Sequence, residues 1–144
     1  MKIVPLAPEF VDPLAELEKA AGDAGWSRAQ FEKELSLEMS RFFVVMMDNQ
    51  VSGYGGYWKV DDEAQITNLV IEPARRRKGL GRKLLSHLME NARHEKCRRS
   101  TLEVRAGNRG ALALYQQAGF TTVGRRPGVY EGPVEDAVLM EKIF

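Results

Sequence analysis

A mixed α/β (α+β) fold is predicted, with a central mixed sheet carrying helices on both faces, and three observations predict it. Helical and strand-like hydrophobic periods follow one another in the order β, α, α, β, β, β, α, β, α, β, β. Leu69, Val70 and Ile71 are consecutive apolar residues, as in a strand covered on both faces. Hairpin spacing near the front and a strand-helix-strand unit in the middle call for antiparallel and parallel pairs within one sheet. The chain has 144 residues, 44% hydrophobic and 28% charged, so residues 1–144 are expected to form one globular domain around one core.

The chain opens with a short apolar run, Ile3 to Leu6. Next, Val11, Leu14, Leu17, Ala20 and Ala21 recur at helical spacing, and the Gly22 to Gly25 region stops that helix. Ser27 suits an N-cap for RAQFEKELSLE, with Phe31, Leu35 and Leu37 on the inner face. From Arg41, RFFVVMM is β-branched and aromatic, DNQ is a turn, and VSGYGGYWKV returns as a second strand. A turn at Asp61 and Asp62 leads into EAQITNLVIEP, which Pro73 ends. From Leu80 to Lys96, an apolar stripe of Leu80, Leu84, Leu85, Leu88, Met89 and Ala92 stands opposite Arg82, Lys83, His87, Glu90 and Asn91. STLEVRA follows as a strand. GNRGALALYQQAG is a short helix capped by Asn108 and closed by Gly119, and FTTVGRR is a further strand. Pro127 to Pro133 reads as a loop before the last strand, EDAVLMEKI.

Lys and Arg (21) nearly balance Asp and Glu (20), for a formal net charge of +1. The whole molecule lacks the positive field of a duplex-binding protein, so any anion site is local and no nucleic-acid partner is expected. No signal peptide or membrane-spanning run is evident, and Cys97 has no partner for an internal disulfide; a cytoplasmic protein without a membrane partner is expected. Lys96 and Arg98 flank Cys97, but no His/Asp pattern surrounds it, and it is taken as structural. His87 and His94 have no ligand spacing to Cys or paired carboxylates, so no metal is expected.

Positive charge and glycine concentrate at one strand-to-helix turn, ARRRKGLGRKLL. The first amides of a helix lack intrahelical acceptors and sit at the positive end of its dipole. Gly79 and Gly81 remove side chains there, and Arg75, Arg76, Arg77, Lys78, Arg82 and Lys83 surround the turn. The expected ligand is a phosphate or pyrophosphate, yet the spacing is neither a P-loop nor the dinucleotide fingerprint.

Arg76-Arg77-Lys78-Gly79-Leu80-Gly81 matches the (Gln/Arg)-x-x-Gly-x-(Gly/Ala) signature of the GCN5-related N-acetyltransferases (GNAT), which the chain resembles. DEAQITNLVIEP, RRKGLGRKLLSHLME, LEVRAGNRGALALYQQAGF and EDAVLM occur in the order and spacing of the bacterial RimI group, the ribosomal-protein alanine N-acetyltransferases. The likeness is nearly continuous from Phe42 to Met140 and loose before that.

The resemblance implies the GNAT acyl-CoA N-acyltransferase fold, with acetyl-CoA as donor in a cleft between two splayed parallel strands, Ile66 to Ile71 and Ser100 to Arg105. Backbone groups at Leu69, Val70 and Ile71 would hold the pantetheine arm like an added strand. The turn through Arg76, Arg77, Lys78, Gly79, Leu80, Gly81 and Arg82 would hold the pyrophosphate. Asn108 would contact the CoA arm as well as cap its helix. Transfer to an amine needs a proton acceptor and a donor for the leaving thiolate. The resemblance assigns these to Glu103 and Tyr115, with Tyr115 beside the CoA sulfur. Glu103 alternates with Leu102 and Val104 along its strand; taken alone it could equally be a surface carboxylate paired with Arg105.

A free α-amine has a pKa near ~8, against ~10.4 for Lys, so an N-terminus asks less of its base than a lysine does. The acceptor side diverges from the RimI pattern. Gly25 replaces the proline before Trp26, and a single Tyr130 stands where a tyrosine pair is common. Trp26, Tyr130 and Glu131 are the candidates for lining the acceptor slot. The acceptor implied by the resemblance is a protein N-terminus, Ala above all, of a ribosomal protein. A small amine or lysine side chain is the alternative, and Glu103 together with Tyr115 argues against a non-catalytic acyl-CoA sensor. The expected oligomeric state is a monomer or homodimer.

Overall fold

The computed structural model describes residues 1–21, 26–76 and 78–144; the expected helix stop at Gly22 to Gly25 and the cradle residue Arg77 lie outside these. Strand β1 is Lys2–Pro5, and a 3-10 turn at Pro8–Phe10 leads into α1, Val11–Ala21. Then come α2 (Arg28–Ser36), β2 (Ser40–Met47), β3 (Gln50–Val60) and β4 (Glu63–Ile71). The second half is α3 (Leu80–His94), β5 (Arg99–Arg105), α4 (Arg109–Gln117), β6 (Thr121–Tyr130) and β7 (Glu135–Ile143). The strands form one sheet in the order β1-β2-β3-β4-β5-β7-β6, and every neighbouring pair is antiparallel except β4 with β5.

Turn chemistry accounts for the hairpins. Asp48 and Asn49 both adopt positive φ (50° and 62°), as a two-residue turn matching strand twist requires, and their short polar side chains tolerate it. Ser27 caps α2 through a capping box with Gln30. The apolar stripe of α3 is buried throughout, and it packs on β3 and β4 with Tyr115 of α4 in the same cluster. Gly55 of β3 lets α3 lie close, because a Cβ there would stand 3.1 Å from Leu84 Cδ2 and 2.8 Å from Asn68 O. On the opposite face Val11, Leu14 and Leu17 of α1 and Phe31 of α2 cover Phe42, Val44 and Tyr54. The sheet is therefore covered on both faces, as expected.

Four local readings change. Leu35 is exposed; the inner face of α2 presents Phe31 and the buried Glu34, which accepts hydrogen bonds from Trp58 Nε1 (2.6 Å) and Ser40 Oγ (2.7 Å). On α1, Ala20 is exposed and Glu18 is buried in its place, with Tyr54 donating its hydroxyl to Glu18. His87 does not face away from the core: its ring meets the edge of Phe43 at 4.7 Å, and burial lowers its pKa. The loop expected from Pro127 is strand as far as Tyr130, because β6 lies at the sheet edge, where a proline and an irregular register are tolerated. Cys97 is buried, and burial pushes its thiol up, so it fits the structural reading.

The C-terminal end of α3 is tied to the sheet by a polar network. Glu95 accepts from Arg41 Nε (2.7 Å) and from the Tyr57 hydroxyl (2.5 Å), which in turn accepts from Asn91 Nδ2 (2.7 Å). Burial pushes Glu95 up, but the bonds from Tyr57 and Arg41 outweigh it and hold the carboxyl below its ordinary 4.5. Its contribution to stability is thus fully present above about pH 4.5 and is lost as pH falls through the lowered value. Glu95→Gln should be less stable than the wild type near neutral pH and should lose less on acidification. Urea midpoints between about pH 7 and about pH 3 test this, and parallel curves for the two proteins would contradict it.

Candidate active site

Strands β4 and β5 pair only at Glu63–Arg99, Ala64–Ser100 and Gln65–Thr101. Beyond that point they part, and the gap opens into a cleft of about 1300 Å³. That exceeds the roughly 300–1,000 Å³ of most small-ligand pockets and suits a long, extended ligand. The β3–β4 register shifts between Gly56 and Tyr57, which pair with Asn68 and Ile66 and leave Thr67 as the extra residue of a bulge. A bulge bends its strand and redirects the side chains beyond it.

The parting of the strands leaves backbone groups of β4 without a ladder partner. They alternate in direction. Asn68 O and Val70 O lie 2.8 and 2.7 Å from where a Cβ would stand on Gly55 and Gly53 of β3, so these carbonyls look away from the cleft. Leu69 and Ile71 are the residues of β4 turned toward it, and the Ile71 carbonyl already accepts from Arg76 Nε at 3.0 Å. Of the three residues expected to hold a ligand arm by their backbone, Val70 lines the cleft but turns its carbonyl to β3.

The floor of the cleft is the start of α3. Gly79 is the N-cap, with φ +78°, a conformation that favours glycine, and a Cβ there would meet nothing within 4 Å. The first intrahelical bond is Lys83 N to Gly79 O (3.1 Å), so the amides before it are free to meet an anion. Arg76, Gly79, Leu80, Gly81 and Arg82 line the cleft. Lys78 is exposed beside them and is not part of the lining. Some of the cations are held in place: Arg75 pairs with Asp48 (3.5 Å) and Glu72 (3.6 Å), and Arg82 donates to Gln117 Oε1 (2.7 Å).

Glu103 and Tyr115 reach the same cleft from β5 and α4. Glu103 lies opposite the buried Leu102 and Val104, as its alternation requires, and Arg126 Nη1 donates to its Oε1 at 2.6 Å. The ion-pair partner is thus Arg126, not Arg105, which pairs with Glu135 (3.5 Å) and stacks over the Tyr130 ring at 4.3 Å. Tyr115 is 7% exposed and packs edge-on against Phe120. Burial pushes its pKa up to about 12, so it keeps its proton throughout the neutral range. Asn108 lines the cleft and caps α4 through Ala111 N (3.1 Å), so its side chain has the structural half of the dual role expected of it.

The three acceptor-side candidates separate. Tyr130 lines the cleft, steadied by Arg105. Trp26 stacks on Phe42 (5.6 Å) and meets Phe31 edge-on (5.3 Å), which places it in the core of the α1–α2 face, not in the cleft wall. Glu131 sits exposed on the β6–β7 turn, also outside the lining. Several lining residues escaped the sequence reading, the polar Asn68 and Glu135 among them. A polar residue set directly before the apolar run Leu69 to Ile71 was the available signal for Asn68, and none existed for Glu135. Among the described residues, no group of three or more His, Cys, Asp and Glu side chains is placed to hold a metal ion, and no helix is long and apolar enough to cross a membrane.

Comparison with known proteins agrees with this geometry. The model of the acetyltransferase (GNAT) family matches residues 11–120. A Bacillus subtilis protein provisionally assigned as a ribosomal protein bS18-alanine N-acetyltransferase is 36% identical over 134 residues, covering 92% of this chain and 88% of that protein. The crystal structure of the ribosomal-protein-S18-alanine N-acetyltransferase from Escherichia coli superposes with a TM-score of 0.92 at 29% identity, over 99% of this chain and 92% of that one. The fold also recurs in a Bacillus anthracis acetyltransferase crystallised with acetyl coenzyme A, with a TM-score of 0.70 at 21% identity over 78% and 67% of the two chains. The chain belongs to the GCN5-related N-acetyltransferase family and is an N-acetyltransferase of the RimI-like kind.

Proposed function

We propose that residues 1–144 form one catalytic domain that moves an acetyl group from acetyl-CoA to the N-terminal α-amine, preferentially alanine, of a ribosomal protein met in the cytoplasm. The carrying observation is that one cleft brings together the amide-rich start of α3, Glu103 on β5 and Tyr115 on α4. The names of the relatives support the acceptor class. The residues fit acetyl-CoA by chemistry: free helix amides and cations for a pyrophosphate, and unpaired strand amides for the amide-bearing pantetheine. Arg76, Arg77, Lys78, Gly79, Leu80, Gly81 and Arg82 hold the diphosphate. Leu69, Ile71 and, by apolar contact, Val70 hold the arm, with Asn108 at its flank.

In this reading Glu103 takes a proton from the acceptor ammonium, directly or through water, and the neutral amine attacks the thioester carbonyl. Arg126 occupies Glu103 Oε1 and no described residue occupies Oε2, so one oxygen orients the carboxylate while the other is free for the amine. Tyr115 serves the leaving sulfur as general acid. A thiol titrates near ~8.5, below the tyrosine's value of about 12. Full transfer to the thiolate would run uphill, so the hydroxyl acts as general acid by a hydrogen bond that strengthens as charge reaches sulfur, and the coenzyme leaves as a hydrogen-bonded thiolate.

Three measurements test the proposal. Turnover of acetyl-CoA with peptides differing only in their first residue should favour Ala over bulkier residues and exceed turnover with lysine or polyamines; activity confined to small amines would refute the acceptor class. Glu103→Gln should lower kcat/KM by about 10²- to 10⁴-fold, and unchanged turnover across pH would remove Glu103 from the reaction. Tyr115→Phe should slow transfer while leaving acetyl-CoA affinity intact; equal loss of both would make it a packing residue.

A further inference from the structure

Asn68 is 8% exposed and lines the cleft, yet its Oδ1 is buried without a hydrogen-bond partner, and its Nδ2 makes no hydrogen bond to any described residue. An unsatisfied buried carbonyl oxygen costs free energy, and such an atom in a folded protein calls for an explanation, a ligand among them. The bulge at Thr67 decides where it points. Ala64 and Ile66 before the bulge, and Leu69 and Ile71 after it, face the α3 cluster, while Val70 faces the α1–α2 cluster. Alternation puts Asn68 on the Val70 face. Glu103 occupies the same face of β5, because Leu102 and Val104 on either side of it belong to the α3 cluster. Asn68 and Glu103 thus stand on opposite walls of the parted strands, both on the face away from the α3 cradle and Tyr115.

We infer that Asn68 is an acceptor-positioning residue that reads the first residue of the substrate chain, an inference that rests on the proposed N-terminal acceptor. A carboxamide presents one acceptor and one donor side by side. An N-terminal residue presents the complement, α-amine N–H groups and the first peptide carbonyl, separated by one carbon. On binding, the Asn68 carboxamide turns about its terminal torsion so that Oδ1, shut off from the cleft in the free protein, accepts from the amine while Nδ2 donates to that carbonyl, and the nitrogen is held between Asn68 and Glu103. A lysine side chain or polyamine satisfies only the amine half and leaves Nδ2 without its carbonyl partner, which is a basis for selectivity.

The test is Asn68→Ala and the near-isosteric Asn68→Leu, assayed with an Ala-initiated peptide alongside the wild type. Both variants should lose about 10- to 100-fold in kcat/KM for the peptide, as expected for a lost pair of buried hydrogen bonds. They should bind acetyl-CoA with unchanged Kd by calorimetry. They should also melt no lower than the wild type, since each removes a polar group that the free protein leaves unsatisfied. Peptide kcat/KM within about twofold of the wild type, or a Kd for acetyl-CoA that weakens in step, would overturn the assignment. If the wild type turns over no peptide at all, the N-terminal reading falls and this one with it; if only the variants match the wild type, the reading survives and Asn68 alone is excluded.

Discussion

The parting of β4 from β5 after three paired residues is the constraint on which the site depends. A parallel pair that stays zipped has no room for a ligand and no free amides. Here the ladder ends inside the sheet, and both strands continue with unmatched edges. An exposed edge is ordinarily a liability that proteins cover or charge. In this fold the edge is internal, walled by β5 and floored by α3, so a ligand can use it while a second protein chain cannot pair along it.

Two faces of the sheet then take different work. The α3 face supplies the anion cradle and Tyr115, anchored by a close-packed stripe from Leu80 to Ala92 and by the Glu95 network at the far end of the helix. The opposite face carries Glu103, Asn68 and the α1–α2 layer. A thioester threaded between the strands would, in the proposed reaction, meet an amine coming from the other side, with Glu103 and Tyr115 on separate faces. Charge is similarly divided. The molecule is close to neutral as a whole, but its cations gather at the start of α3, where Arg75, Arg76 and Arg82 are steadied by protein partners before any ligand arrives.

Much of this could be read from residue order. The apolar stripe of α3, the Asp48–Asn49 turn, the Ser27 and Asn108 caps and the alternation around Glu103 are local rules, and the structure follows them. Readings failed where a neighbour distant in sequence overrode the local pattern. Leu35 was placed inside by periodicity, but Trp58 and Ser40 supply partners that let Glu34 take the inner position. Trp26, an acceptor-side candidate by motif, packs on Phe31 and Phe42 outside the cleft lining.

Chain order and spacing were enough for the element sequence, the mixed sheet and the charged glycine turn, because each depends on contacts within a few residues or on one strand's two faces. They could not reveal where β4 and β5 separate, that Thr67 bulges, or that Arg126 rather than Arg105 holds Glu103. Those are properties of pairs far apart in the chain. Whether Asn68 faces core or cleft turns on one unpaired residue, since a single insertion in a strand exchanges its two faces.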